Sequence, residues 1–324
     1  MIIGYSVLSL AEAKSFRPVI HKIRETARKN NHVIFFHMIN PQQTLNLGGH
    51  LLTLDQPRVM GILNVTPDSF FDGGRYDSRS AALQRTEIML QEGADLIDVG
   101  GMSSRPGAEM ISSAEECRRV IPIISAIRDR FPDTLISIDT VYGATAREAV
   151  AAGAGMVNDI SAGRFDPSIY EAVAALGVPY VLMHMQGRPE TMQQQPHYDH
   201  VVQEVLDFFI AETHSLHQLG VRDVVLDPGF GFGKSLVHNY QLLKNLHVFR
   251  MLDKPVLAGL SRKSMINKVL KTQPETALNG TTALHMVALQ QGARLLRVHD
   301  VCEAVQVIRL WQQLEETGAL PTSD

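Results

Sequence analysis

Eight short runs of β-branched and apolar residues recur along the chain: Val59–Leu63, Leu96–Val99, Leu135–Ile138, Met156–Val157, Tyr180–Met183, Val224–Leu226, Val256–Ala258 and Leu295–Val298. Longer amphipathic stretches separate them. The runs are too short for helices, and their near-continuous apolar character is that of parallel strands covered on both faces. The stretches between them carry helix punctuation. Ser112-Ser113-Ala114-Glu115-Glu116 has the pattern of a capping box. Gly93, Gly153, Gly177, Gly220 and Gly292 each close a helical stretch just before a strand, the place where a left-handed cap needs no Cβ. Pro122 falls inside the second helical pattern and predicts a kink or a late helix start. Eight strand–helix units in succession predict an α/β fold of the (β/α)8 TIM-barrel type. The competing architecture, an open doubly wound sheet, would be expected to carry a dinucleotide fingerprint, and none is present.

Residues 1–57 do not follow this beat. Ala11 to Lys29 reads as an amphipathic helix and His32 to Ile39 as a strand. Leu45–Leu54, interrupted by Gly48-Gly49, reads as a hairpin that covers the N-terminal mouth of the barrel. The expected organisation is an N-terminal extension over 1–44 with no legible role, a catalytic barrel over 45–317 and a tail over 318–324.

Composition excludes several classes of function. A formal charge of −4 is not that of a general nucleic-acid binder. No run approaches the ~18 apolar residues of a membrane span. Cys117 and Cys302 form no Cys-x-x-Cys pair, which points to a reducing, cytoplasmic setting rather than a disulfide framework. Met1 to Leu10 is apolar, but it is short and no Lys or Arg precedes it, so a secretory signal is not expected.

In a (β/α)8 barrel the reactive groups stand at the C-terminal ends of the strands. Here those ends carry Asn64, Asp98, Asp139, Asn158-Asp159, His184, Asp227, the string Ser261-Arg262-Lys263-Ser264, Arg297 and His299. Any one of them is an ordinary turn former or helix cap. As a set converging on one rim they would be costly to desolvate without a ligand or mutual pairing. Asp139, Asn158 and Asp227 offer acceptors for a flat heterocycle with several N–H edges. Lys263, Arg105, Arg297 and His299 suit a phosphate or pyrophosphate.

Two other motifs do not hold up. Gly229-Phe230-Gly231-Phe232-Gly233-Lys234-Ser235 resembles a nucleotide P-loop, but Pro228 stands where the first glycine should be. His197 and His200 have helical spacing without a His-Glu-x-x-His element, so a zinc site is not expected.

The strand-end strings together resemble the dihydropteroate synthase family of pterin-binding barrels. Met60-Gly61-Ile62-Leu63-Asn64-Val65-Thr66-Pro67-Asp68-Ser69-Phe70 is similar to that family's first signature, and Asp98-Val99-Gly100-Gly101 with Ser104-Arg105-Pro106-Gly107 to its second. Ser137-Ile138-Asp139-Thr140, Leu182-Met183-His184-Met185-Gln186-Gly187, Asp227-Pro228-Gly229-Phe230-Gly231-Phe232-Gly233-Lys234, Ser261-Arg262-Lys263-Ser264 and Arg297-Val298-His299-Asp300 follow in family order. The resemblance spans roughly residues 45 to 315 and implies a barrel of that length. It also implies condensation of p-aminobenzoate with 6-hydroxymethyl-7,8-dihydropterin pyrophosphate. The implied pterin site is Asp139, Asn158, Asp227 and Lys263, with Ile160, Met183 and Gly259 as walls. Asn64, Ser104, Arg105, Arg297 and His299 would hold pyrophosphate, Asn64 together with Mg2+. The p-aminobenzoate pocket would be framed by Thr66, Pro67, Phe70, Ser104, Arg105, Pro106, Phe232, Arg262 and Ser264. Asp139, Asp227, Lys263, Arg297 and His299 would carry the chemistry. The loops at about 65–78 and 101–112 would order around substrates, and the molecule would be a cytoplasmic homodimer.

This chain departs from the family pattern at Met102, where a glutamate is frequent, and in the length of its N-terminal segment. Two alternatives share the barrel: a pterin- or folate-dependent methyltransferase, which should lack the Ser261–Ser264 string, and a non-catalytic pterin-binding homologue.

Overall fold

The computed structural model describes residues 44–66, 75–103, 107, 109–188, 191, 192, 194 and 196–317, with the backbone alone at 75–78. The helix and strand expected between residues 11 and 39 and the tail lie outside the described residues. Eight parallel strands form the barrel: β3 (Arg58–Asn64), β4 (Leu96–Gly100), β5 (Leu135–Asp139), β6 (Met156–Asp159), β7 (Tyr180–Met183), β8 (Val224–Asp227), β9 (Leu257–Ala258) and β10 (Leu295–Val298). They follow one another around the ring, with β10 hydrogen-bonded to both β3 and β9. The ring closes between β8 and β9 through the bridge Leu226↔Val256 and the bond from the Leu226 amide to the Pro255 carbonyl, 2.9 Å.

Several strands run one or two residues past the apolar runs, taking in Asn64, Gly100, Asp139, Asn158-Asp159 and Asp227. Ladder bonds need only backbone groups, so a polar side chain does not end a strand whose neighbour continues. Val256, expected in a strand, stands just before β9, forming the closing bridge and accepting the Arg294 and Leu295 amides at 2.9 and 3.2 Å. The register brings the strand ends level: Asn64 pairs with Gly100, Gly100 with Asp139, and Asp139 with Asn158.

The opposite end of the barrel is closed by a hairpin of β1 (Thr44–Leu47) and β2 (His50–Thr53), turned at Gly48-Gly49. Leu45, Leu47, Leu52 and Leu54 are buried in one cluster with Met60, Leu96, Met156, Val181, Val225, Leu257 and Leu295, from the N-terminal halves of the barrel strands. Each such leucine contributes about 1.5–3 kcal/mol of burial. The Asn46 amide donates to Asp223 at 2.8 Å and fastens the hairpin's edge.

The outer layer comprises α1 (Arg75–Gln91), α2 (Ser113–Arg130), α3 (Gly143–Ala151), α4 (Ser168–Leu176), α5 (Val201–Gln218), α6 (Leu236–Lys244), α7 (Ser264–Leu270), α8 (Leu278–Gln290) and α9 (Val301–Glu316). Helix α2 buries Val120, Ile123, Ile124 and Ile127, the 3–4 spacing of one helix face. It runs on through Pro122, so the late start does not occur. Ser112 caps it by accepting the Glu115 amide, while the Glu115 carboxylate is engaged by Arg118 and Arg119. The five glycines expected to end helices all have positive φ.

Candidate active site

At the C-terminal rim the centre of the site is an ion cluster spanning three strands. Arg297 Nε donates to Asp98 Oδ2 at 2.6 Å, and its Nη2 donates to Asp139 Oδ2 at 2.5 Å. Asp98 Oδ2 also accepts from Asn158 Nδ2 at 3.0 Å. Asp98 is fully buried, while Arg297 keeps part of its side chain exposed. One guanidinium thus sets the spacing of two carboxylates and, through Asp98, of an amide. Burial pushes the Asp139 carboxyl upward, to about 7, against the pull of Arg297. The paired carboxylates raise the pKa of Arg297, which stays a cation. In the sequence Asp98 is one of the polar strand ends on the rim, with no ligand or partner assigned to it. Its partners lie 60 and 199 positions away.

A second group faces the cluster across the lumen. Asp227 is buried and accepts the Gly229 amide at 2.7 Å. Desolvation raises its pKa while Lys263 lowers it. Lys263 Nζ donates to the Phe230 carbonyl and lies 4.7 Å from the centre of the Phe232 ring. Burial brings the Lys263 pKa down to about 8, with Asp227 opposing. Gly259 leaves the space between these two charges open: a Cβ there would stand 3.7 Å from Lys263 Nζ and 3.9 Å from Asp227 Oδ2. Val141, Ile160, Met183, Met185, Met192 and Phe232 form an apolar cluster of their own, and Met102 packs against it, half-buried. Met102 therefore extends a hydrophobic wall where a glutamate would place a charge.

The remaining expected residues form an outer tier. Asn64 stands beside Asp139 across Gly100, where a Cβ would lie 3.6 Å from Asp139 Oδ2 and 3.7 Å from Asn64 Oδ1. His299 Nδ1 lies 3.0 Å from Ser261 Oγ, which also accepts the His299 amide. Arg262 binds Asp300 through Nε and Nη2 at 3.0 and 2.5 Å. Its backbone is left-handed, φ 57°, within the turn closed by the Lys263 amide on the Leu260 carbonyl. Ser264 is exposed in the first turn of α7, while Ser261 is the buried hydroxyl of that string. Thr66 closes the described part of the first loop. Pro67, Phe70, Ser104, Arg105 and Pro106 lie outside the described residues. Ser261 and Asp300 went unselected because each acts on a neighbour brought close only by the fold. His197 and His200 do not gather a metal set: among the described residues no group of three His, Cys, Asp or Glu side chains could hold an ion.

The model of the pterin binding enzyme family matches residues 60–299. A dihydropteroate synthase of Haemophilus influenzae is 46% identical over 263 residues, covering 81% of this chain and 95% of the relative. One of Escherichia coli K12 is 47% identical over 264 residues, covering 81% and 93%. This chain belongs to the dihydropteroate synthase family. Among solved structures, a Xanthomonas albilineans dihydropteroate synthase with 4-aminobenzoic acid has a TM-score of 0.80 at 46% identity, covering 86% of this chain and 99% of that one. A Yersinia pestis dihydropteroate synthase in complex with a sulfonamide drug has a TM-score of 0.79 at 42% identity, covering 85% and 100%. The chain is therefore a transferase with a TIM-barrel fold, and the rim described above gathers Asp98, Asp139, Asp227, Lys263 and Arg297.

Proposed function

We propose that this chain joins p-aminobenzoate to 6-hydroxymethyl-7,8-dihydropterin pyrophosphate and releases pyrophosphate, with bond breaking ahead of attack. The observation that carries the reading is the facing pair of groups on the rim: Asp98, Asp139, Asn158 and Arg297 on one side, Asp227 and Lys263 on the other, with Met183, Ile160 and Phe232 as an apolar wall. Acceptors at Asp139, Asn158 and Asp227 match the N–H edges of a pterin, and the Lys263 ammonium matches its carbonyl. The flat ring lies along the Met183–Ile160 wall.

An aryl amine is a weak nucleophile, so the chain's contribution lies in loosening the C–O bond to pyrophosphate. Arg297 and His299 stabilise the departing charge. The carboxylates of Asp139 and Asp227 favour positive charge on the pterin-bound carbon left behind, and Arg297 fixes the position of Asp139 for that purpose. The amine then attacks that carbon and sheds one proton. The corner between Asn64 and Asp139 suits magnesium, which takes few protein ligands and completes its shell with water and substrate phosphate oxygens. The hard oxygen donor of Asn64 and the space left by Gly100 meet that need. Bound there, the ion would withdraw charge from the leaving pyrophosphate.

The test is isotope exchange between labelled pyrophosphate and the pterin substrate without p-aminobenzoate. Exchange is expected, and a strict requirement for the amine would overturn the order of steps. Calorimetry with the pterin pyrophosphate, with and without Mg2+, tests the metal: tighter binding in its presence is expected.

Two further features belong to this reading. Val237 and Val269 expose an apolar strip along α6 and α7, and a second copy of the chain covers it in a homodimer, to be checked by sedimentation. The free thiols of Cys117 and Cys302 suit a reducing cytoplasm. No helix among the described residues is long and apolar enough to cross a membrane.

A further inference from the structure

The string that imitates a P-loop, Gly229 to Ser235, has its lysine turned the wrong way for a phosphate. In a phosphate loop the backbone amides and the lysine face a common ligand. Here Lys234 is 2% exposed and its Nζ lies 3.1 Å from the His184 carbonyl, 3.0 Å from that of Gly229 and 3.0 Å from that of Phe232. Two of these carbonyls belong to the loop, and the third lies at the end of β7. The Gly229 carbonyl also accepts the Phe232 amide at 3.1 Å, and an ammonium has one N–H for each of the three acceptors. Burial pushes the Lys234 pKa well down, with Asp227 opposing it, and the three carbonyls all accept from its Nζ.

The two segments meet backbone to backbone. A Cβ on Gly229 would fall 2.0 Å from the His184 oxygen, and one on Gly233 would fall 2.2 Å from the Gln186 oxygen. Both glycines have positive φ. No side chain separates the loop from the strand end, so the ammonium is what neutralises the converging carbonyl dipoles. The far side of the loop is tied by Asn239, whose Oδ1 accepts the Gly231 amide at 2.7 Å and whose Nδ2 donates to the Lys234 carbonyl at 3.2 Å. The loop so fixed presents two groups to the site: the Phe230 carbonyl, which binds Lys263, and the Phe232 ring beneath the Lys263 ammonium.

We propose that Lys234 is a positioning residue for the aryl-amine subsite: an internal ammonium, in the place a monovalent cation would take, that locks the Gly229–Gly233 loop so that Phe232 forms the wall against which p-aminobenzoate stacks. The inference rests on the synthase reading above.

The test uses the full chain and steady-state pyrophosphate release, varying each substrate with the other saturating. Lys234→Ala should raise the KM for p-aminobenzoate by ~10–100-fold, the equivalent of one or two charge-assisted hydrogen bonds, and raise the pterin KM much less. Added methylammonium should restore part of the loss saturably, which a purely structural defect would not permit. A folded Lys234→Ala protein with unchanged p-aminobenzoate KM would overturn the inference, as would equal losses for both substrates without amine rescue. If Lys234→Ala does not fold, Asn239→Ala decides: it loosens the same loop from its other side, and an unchanged p-aminobenzoate KM there also overturns it. A wild-type protein without turnover would instead remove the functional reading, and this inference with it.

Discussion

The two ends of the barrel differ by one pleat of the same strands. At the hairpin end the inward positions are Leu96, Met156, Val181, Val225, Leu257 and Leu295, packed with the leucines of β1 and β2. Two residues further along each strand stand Asp98, Asn158, Met183, Asp227, Gly259 and Arg297. Side chains at i and i+2 share a face and lie about 6.6 Å apart along a strand. Within that distance the lumen changes from a hydrocarbon-packed floor to a cluster of charges. The floor has no chemistry to perform and is closed by residues that gain by leaving water. The rim keeps groups that burial opposes, and it keeps them by mutual pairing. Apolar packing and charge are therefore segregated along the strand axis rather than between strands.

Removing the central cation should break the rim most severely. Arg297→Ala leaves Asp98 and Asp139 without their partner, and turnover is expected to fall ~10²–10³-fold, by comparison with other lost transition-state donors; pyrophosphate release measures it. The floor should respond in the opposite sense. Leu45→Ala, at a fully buried position, should cost about 2–5 kcal/mol in urea unfolding, with turnover per folded molecule nearly unchanged. A large loss of turnover in that variant would erase the division between the two ends.

Acidity sharpens the comparison further. Lys263 loses its proton at about 8 in the folded protein, below an ordinary lysine. As pH rises through 8, kcat/KM for the pterin substrate should decline, and Lys263→Arg should lack that limb. Stability should move the other way. Below pH 8 the ammonium is charged in both folded and unfolded chains, and the cost of burying it is fully present. Between 8 and the unfolded value the unfolded chain holds more protons, so the wild type gains stability relative to Lys263→Met. The smallest effect belongs outside both ends: Ser112→Ala removes the cap of α2 and should cost about 1 kcal/mol, read by thermal melting.

Much of this was legible in the sequence, for identifiable reasons. Buried parallel strands need continuous apolar runs, and all eight were marked by them. The hairpin declared itself through Gly48-Gly49 between alternating leucines. The site was legible where a polar residue ended a run, as at Asn64, Asp139 and Asp227. It was illegible where function depends on who meets whom. Asp98 is one acidic residue within a strand until Arg297 arrives from the other end of the chain, and Lys234 looks like a phosphate ligand until the loop turns it inward. Periodicity reports which face a residue takes, and pairing across the ring has no local signature.

The hairpin that corks the floor has a consequence for biosynthesis. Its leucines are made before any barrel strand, yet their partners extend to Leu295. On the ribosome they wait uncovered until almost the whole ring has been translated. Such long-range closure slows folding and leaves a greasy surface open to wrong partners meanwhile.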